Sequence, residues 1–301
     1  MNEASQWRLE VARYVAPIIA RNPKVQAIAL TGSASRGNAD SYSDIEIGVF
    51  WSEAPSEAER MAPIEPSGGI FWELDPYNPE ENVWMEEWGM GGVKMDMRNL
   101  TVEGLERILS DVTEAADTTI FKHETVSAIQ HAIPLYNPPL LERWQAQIAV
   151  YPPALAQAKV RQHLALDAWC WWVEMLAKRG DLPLVYYAFS EASESILSML
   201  MGLNGIYHPG MKWMHRLMAE MALAPQHLAR RIQEAFQVDP LSGMAILRDL
   251  RLETYDLIDL YMPEVETADA RLAFLKQRPQ IMTVPEGIGS LKIKRGDSAD
   301  H

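Results

Sequence analysis

A glycine–serine pair and two nearby carboxylates have the types and spacing needed to handle phosphate groups with a divalent cation. Gly32 and Ser33 end one apolar run, ten residues intervene, and Asp44 and Glu46 flank Ile45 at the start of a second apolar run. Side chains alternate between the faces of a strand, so the two carboxylates point together while Ile45 points into the core. Like charges repel unless a cation lies between them, and Mg2+ prefers oxygen ligands. The pattern therefore predicts a metal platform beside a phosphate-binding turn.

The turn supplies three candidate phosphate contacts. Gly32 lets the backbone approach a phosphate closely, and Ser33 adds a hydroxyl and an amide donor where we expect a helix to begin. Arg36 follows three residues later and is a candidate for neutralising a phosphate oxygen.

A third carboxylate on a later strand is expected to join this pair. Alternate residues of the run 93–98 are apolar, which leaves Lys94, Asp96 and Arg98 on the opposite face. We expect Asp96 to complete the metal site or to take the proton from an acceptor hydroxyl.

The elements that position these groups follow from hydrophobic periodicity and turn residues. A helix is predicted over 4–21, and strands over 25–31, 45–51, 70–74, 82–88 and 93–100. Beyond Thr101, which we expect to cap a helix, the pattern is helical. The predicted later helices span 154–179, 183–203, 211–222, 225–237 and 240–261, after a proline-marked break at 135–139. The predicted fold class is α+β, with a mixed sheet and flanking helices followed by an all-helical C-terminal bundle.

The ordered set Gly32-Ser33, Asp44-Ile45-Glu46 and Asp96 resembles the nucleotidyltransferase superfamily, which is built on the DNA polymerase β-like fold. The residues of this motif look most like those of the bacterial branch that includes aminoglycoside and lincosamide nucleotidyltransferases. The motif resemblance covers about 70 residues. One departure is Glu46, where much of the superfamily has aspartate, and this change leaves the metal coordination open.

The resemblance implies a role for each matching position. Asp44 and Glu46 would hold two Mg2+ ions, and Asp96 would be the third ligand, the general base, or both. Gly32 and Ser33 would hold the β- and γ-phosphates of ATP or another NTP.

The resemblance also implies a division of the chain. Residues 1–135 would form the catalytic domain, and residues 136–284 a helical bundle that closes the cleft and binds substrate. We expect the polar tail of residues 285–301 to be mobile.

The helical half offers weaker candidates. Lys212, after a Pro-Gly turn, would contact the triphosphate, the alternative being an ordinary surface lysine. Glu191 and Glu194 share a helix face, and they either bind the acceptor, with Glu191 as an alternative base, or form a solvated face. Trp88 either walls the acceptor pocket or packs in the core.

Composition narrows the function classes. A formal net charge of −14 disfavours nucleic acid as a partner. The single cysteine, Cys170, cannot form an internal disulfide. Residues 2–10 are polar and no apolar run approaches the ~20 residues of a membrane helix. We expect a cytoplasmic protein with no membrane partner, either a monomer or a homodimer.

These observations predict a metal-dependent nucleotidyltransferase. It would move a nucleoside monophosphate, AMP from ATP being the expected case, to a hydroxyl of a small-molecule acceptor and release pyrophosphate. Antibiotics are one such acceptor class. Two alternatives stay open: a protein AMP-transferase, and a non-catalytic, antitoxin-like regulator that binds nucleotide.

Overall fold

The computed structural model describes residues 1–212 and 214–278. The tail predicted over residues 285–301 lies outside these ranges. Within them, one six-stranded mixed sheet is flanked and followed by helices. The strands are β1 (Val25–Leu30), β2 (Ile45–Trp51), β3 (Ile70–Leu74), β4 (Trp84–Met90), β5 (Val93–Thr101) and β6 (Ile133–Tyr136).

Thirteen α helices occur in the described ranges. They are α1 (Glu3–Ile19), α2 (Gly32–Ser35), α3 (Glu57–Met61), α4 (Val102–Thr113), α5 (Ile120–Gln130), α6 (Pro138–Gln147), α7 (Pro153–His163), α8 (Trp169–Arg179), α9 (Leu182–Leu203), α10 (Met214–Glu220), α11 (Leu228–Ala235), α12 (Pro240–Tyr261) and α13 (Ala268–Leu275). None of the helices in the described part of the chain combines the length and apolar character needed to cross a bilayer.

The strand order brings two separate stretches of sequence together. The sheet runs β3-β4-β5-β2-β1-β6, and β2 and β5 are its parallel neighbours while the other pairs are antiparallel. In the parallel pair Ile45 lies opposite Met95 and Glu46 lies opposite Asp96. Because parallel strands begin at the same edge of a sheet, the two acidic stretches share that edge.

The two faces of the sheet are covered by different helices. On one face, Ile45, Ile47 and Met95 pack with the apolar side of α1. On the other, Phe50 packs edge-on against Trp144 of α6 at 4.9 Å, with α4 and α5 beside it. Strand alternation assigns Glu46 and Asp96 to this second face. Helices α7 to α13 pack on one another around α9.

Local signals explain some element ends and tertiary contacts explain others. The Thr101 hydroxyl accepts a hydrogen bond from the Gly104 amide at 3.0 Å, which confirms the predicted cap of α4. The single helix predicted over 154–179 is instead two helices, because Ala168 is left-handed (φ 52°) and its amide donates to the Ala273 carbonyl at 2.7 Å. Strand β6 replaces part of the predicted proline-marked break, since an edge strand tolerates Pro134.

Candidate active site

Asp44 and Glu46 lie at the beginning of β2, held there by the preceding loop. Asp44 is the residue before the strand, and both acids are half-buried. Arg8 of α1 is buried and donates to the Asp40 carbonyl at 2.8 Å and the Ser43 carbonyl at 2.6 Å. Arg8 therefore anchors the backbone that delivers Asp44.

Asp96 meets Asp44 across the parallel pair. Their carboxyl groups are close neighbours, and burial, together with the neighbouring Asp44, raises the pKa of Asp96 to about 7. Lys94 Nζ, 3.0 Å from Asp96 Oδ1, opposes the shift as an ion pair but lacks hydrogen-bond geometry toward that oxygen. The Asp96 oxygen is buried and keeps its capacity to accept a proton or a ligand.

The Gly32 turn is built against Glu46. The Thr31 amide donates to the Glu46 carbonyl at 2.9 Å, and Gly32 then takes a left-handed conformation (φ 66°). A Cβ at Gly32 would lie 2.7 Å from Glu46 Oε2, so only glycine leaves room for this carboxylate. Burial, and next the charge of Asp44, raises the pKa of Glu46.

Three basic side chains act electrostatically on Glu46. The charges of Lys212, Arg98 and Arg36 each act to lower its pKa, against the larger effect of burial. Arg36 donates to both the carbonyl and the hydroxyl of Ser127 on α5, each at 2.9 Å. Lys212 is exposed and lies in the segment between α9 and α10. The structure thus places Arg36 and Lys212 within electrostatic range of Glu46.

The turn that carries Lys212 is held from two sides. The Gly210 amide donates to His208 Nδ1 at 3.1 Å, and Gly210 is left-handed (φ 90°). A Cβ on Gly210 would lie 3.3 Å from Glu124 Oε1 of α5. The turn therefore packs closely against α5.

The weaker candidates lie elsewhere. Trp88 is fully buried and pairs with Met95 on the α1 face of the sheet, opposite to Asp96, so it packs in the core and walls no pocket beside the carboxylates. Glu191 is exposed on α9, and Glu194 is half-buried and acts on Lys159. Among the described residues no contact joins either glutamate to Asp44 or Asp96. Ser33 is half-buried in the first turn of α2.

The donor set suits a hard divalent cation. Asp44 and Asp96 offer adjacent carboxylates, and the buried Asp96 Oδ1 has no hydrogen-bond partner. The Glu46 carboxylate rests against Gly32. No three acidic, histidine or cysteine side chains in residues 1–212 and 214–278 form a closed metal-ligand cluster. The carboxylates are therefore neighbours whose chemistry fits a metal, without a completed three-ligand arrangement.

Sequence reasoning missed two contributors. Arg8 has a signal, since an arginine within the apolar positions of a helix needs buried carbonyl partners, and it has them here. Ser127 gives no local signal, because only the docking of α5 brings it to Arg36.

A cavity of about 430 Å3 lies away from these groups. It is on the α1 face of the sheet, between the end of α1 and α3, with the buried pair Arg60 and Glu86 in its lining. None of the predicted site residues lines it.

Three comparisons with known proteins bear on this chain. A family model described as a domain of unknown function (DUF4037) matches residues 119–214. No curated protein matches. Among solved structures, a nucleotidyltransferase-like protein from Exiguobacterium sibiricum 255-15 is similar at a TM-score of 0.31 and 15% identity, covering 91% of this chain and 82% of that one. None of these similarities assigns a substrate to this chain.

Proposed function

We propose that this protein is a nucleotidyltransferase that moves a nucleoside monophosphate from an NTP, ATP being the expected donor, to a hydroxyl of a small-molecule acceptor. One observation carries the proposal. Asp96, fifty residues beyond the Asp44–Glu46 pair in sequence, lies in contact with Asp44 and opposite Glu46. Such a concentration of acidic groups costs stability and serves no packing purpose, whereas it suits a site that handles phosphate.

The residues then divide the reaction among them. Gly32 and Ser33 would receive the β- and γ-phosphates, and Arg36 and Lys212 would neutralise phosphate charge. The acceptor oxygen attacks the α-phosphorus, the bond to the bridging oxygen of the β-phosphate breaks, and pyrophosphate leaves. Asp96 would take the hydroxyl proton onto its buried oxygen.

Asp44, Glu46 and Asp96 would also hold Mg2+. Such ions supply charge neutralisation on the phosphates and orient the reacting oxygens. The proposed contribution of the protein is to hold the phosphates in place and to keep an acceptor hydroxyl near Asp96.

A small-molecule acceptor is favoured over nucleic acid by charge. At −14 the chain has 41 acidic and 27 basic residues, which disfavours a polyanion. Antibiotics that carry hydroxyl and amino groups remain one candidate class within this proposal.

Calorimetry and a transfer screen test the proposal together. ATP binding to the full chain is measured with and without Mg2+, for the wild type and for Asp44→Asn. Radiolabel transfer from ATP is then screened over hydroxylated acceptors. We expect Mg2+-dependent binding that weakens at least tenfold in Asp44→Asn.

Two variants separate binding from chemistry. Asp96→Asn should keep ATP binding and lose about 100-fold or more of the transfer rate, the usual range for removing a general base. Asp269→Asn, on an exposed site of α13, is the matched control and should change neither ATP binding nor the transfer rate. ATP binding that ignores both Mg2+ and Asp44→Asn would refute the catalytic assignment, and binding without transfer to any acceptor would favour the regulator.

A further inference from the structure

A buried cluster of basic and hydroxyl side chains lies behind α5, and the proposed reaction does not use it. We call it the Lys159 cluster: Lys159 and His163 of α7, His123 of α5, His208 after α9, and Tyr151 before α7. Lys159 is 1% exposed, His208 1% and His123 fully buried. Three different segments thus place basic side chains in one interior region.

The cluster members are mutual neighbours. The charge of Lys159 acts on all three histidines, and His123 and His163 act on His208. The Tyr207 ring contacts both His123 and Tyr151. Its centroid is 6.1 Å from the His123 ring and 4.7 Å from the Tyr151 ring.

Most of the buried polar side-chain atoms that lack a hydrogen-bond partner in the described part of the chain are concentrated here. Seven buried side-chain atoms in the described residues have no hydrogen-bond partner among protein atoms, and five belong to this cluster. They are His123 Nδ1, Tyr151 Oη, Lys159 Nζ, His163 Nε2 and His208 Nε2. Each such atom typically costs about 1–3 kcal/mol if it stays unpaired. Five of them in one place therefore mark the region of the described residues where a polar occupant would gain most hydrogen bonds.

The charge of the region selects the class of occupant. Glu194 is the acidic group that acts on Lys159, and it is half-buried and makes no hydrogen bond to it. The Lys159 side chain has several N–H donors, and the Tyr151 hydroxyl and the imidazole N–H groups of His163 and His208 can supply more. Burial lowers the pKa of Lys159. A small oxyanion would favour its charged form and offer several acceptor oxygens, whereas a cation would be repelled by that form.

We propose that the Lys159 cluster is an internal binding site for a small tetrahedral oxyanion of the phosphate type, separate from the carboxylate edge of the sheet. Lys159 is the central ligand, and Tyr151, His163 and His208 donate around it. The Nε2 of His123 faces the Asp117 carbonyl and donates to it, so its Nδ1 would accept from a hydroxyl of the bound phosphate. The proposal does not depend on nucleotidyl transfer, because none of its ligands is assigned a contact with the nucleotide or the acceptor. His208 is the shared element, since its Nδ1 holds the turn that carries Lys212.

Thermal unfolding and calorimetry of the full chain with inorganic phosphate test the site. Ionic strength is held constant with chloride. Phosphate at about a hundred times its dissociation constant should raise the Tm of the wild type by about 5 °C. Lys159→Met should abolish the rise. Without phosphate this variant should melt no lower than the wild type, because it no longer buries an uncompensated charge, and this shows that it folds.

Two lysine variants locate the effect. Lys178→Met, a partly exposed lysine of α8 paired with Glu174, is the matched control and should keep the full rise. Lys212→Met should also keep it, because that residue belongs to the proposed nucleotide site.

Four results would overturn the proposal. They are no rise in the wild type, an equal rise in Lys159→Met, and a rise that disappears in Lys212→Met, which would place phosphate in the nucleotide site. The fourth is a visible Co2+ absorption band that His123→Gln removes, which would make the cluster a metal site.

Discussion

Replacing Gly32 with alanine should disable the candidate site through one methyl group. Gly32 has φ 66°, where a side chain costs about 1–2 kcal/mol. The new carbon would lie 2.5 Å from Glu46 Oε1 and 2.7 Å from Oε2. The carboxylate must therefore move by roughly 1 Å to reach ordinary contact.

Gly180 offers a control with the same backbone cost. Its φ is 77°, and a Cβ there would meet no atom within 4 Å. Urea unfolding should show that Gly32→Ala and Gly180→Ala each lose about 1–2 kcal/mol of unfolding free energy. The two variants therefore differ in the displacement of Glu46.

Calorimetry with ATP and Mg2+ then measures the effect of that displacement on ATP affinity. Gly32→Ala should bind ATP about tenfold or more weakly, and a 1 Å shift of a catalytic group should lower transfer by about 100-fold. Gly180→Ala should match the wild type in both. Equal ATP affinity in the two variants would refute the reasoning that the Gly32 turn and Glu46 form one unit.

Three further predictions concern charge and burial. Lys212→Met should raise the Kd for ATP by about tenfold in calorimetry, because it removes a charge-assisted contact. The control Lys178→Met should leave the Kd unchanged. An unchanged Kd in Lys212→Met would show that Lys212 does not belong to the site. Burial raises the pKa of Glu86 from 4.5 to about 7, against the hydrogen bonds of Asn99 and the charge of Arg60. The native state therefore holds a proton that the unfolded chain has lost between about pH 4.5 and 7, so this group makes wild-type stability fall as pH rises through that window, by roughly 3 kcal/mol in total. Urea unfolding at pH 5 and pH 7.5 should show a smaller fall in Glu86→Gln, and parallel curves would contradict the assignment. Arg251 is fully buried and donates to the Tyr255 and Ser195 hydroxyls and to the His163 and Leu164 carbonyls. Arg251→Met should cost about 3 kcal/mol or more in urea unfolding, against less than about 0.5 kcal/mol for the partly exposed Arg248→Met; a loss below 1 kcal/mol would show that these acceptors find other partners.

Local patterns were sufficient where neighbours along the chain decide the structure. The runs 45–51 and 70–74 are strands with the predicted bounds, and Thr101 caps α4 as expected. Alternation and capping depend on backbone geometry within a few residues, so the printed sequence carries the information.

Packing between distant segments decided the elements that were not predicted. The helix predicted over 154–179 breaks at Ala168 because α13 supplies the Ala273 carbonyl there. Strand β6 forms beside β1 at the edge of the sheet, although Pro134 signals a break. Neither partner is near in sequence, so no local pattern reports it.

The same distinction applies to the candidate site. Strand alternation alone assigns Asp96 to the face that Lys94 and Arg98 share, and the resemblance then selects it as the partner of Asp44 and Glu46. The position of Trp88 is decided by strand pairing. Trp88 pairs with Met95 and therefore lies on the opposite face of the sheet from Asp96. Strand pairing, which the sequence does not show, decides which of the two faces meets the carboxylates.

The sequence by itself determined the residue types and spacing of the Gly32 turn and the acidic pair, because both lie within one turn and one strand. Tertiary structure decided what meets them. The parallel register of β2 and β5 sets Asp96 opposite Glu46, and the docking of α5 gives Arg36 its partner in Ser127. The Lys159 cluster has no sequence pattern at all, since its members come from segments that only helix packing brings together.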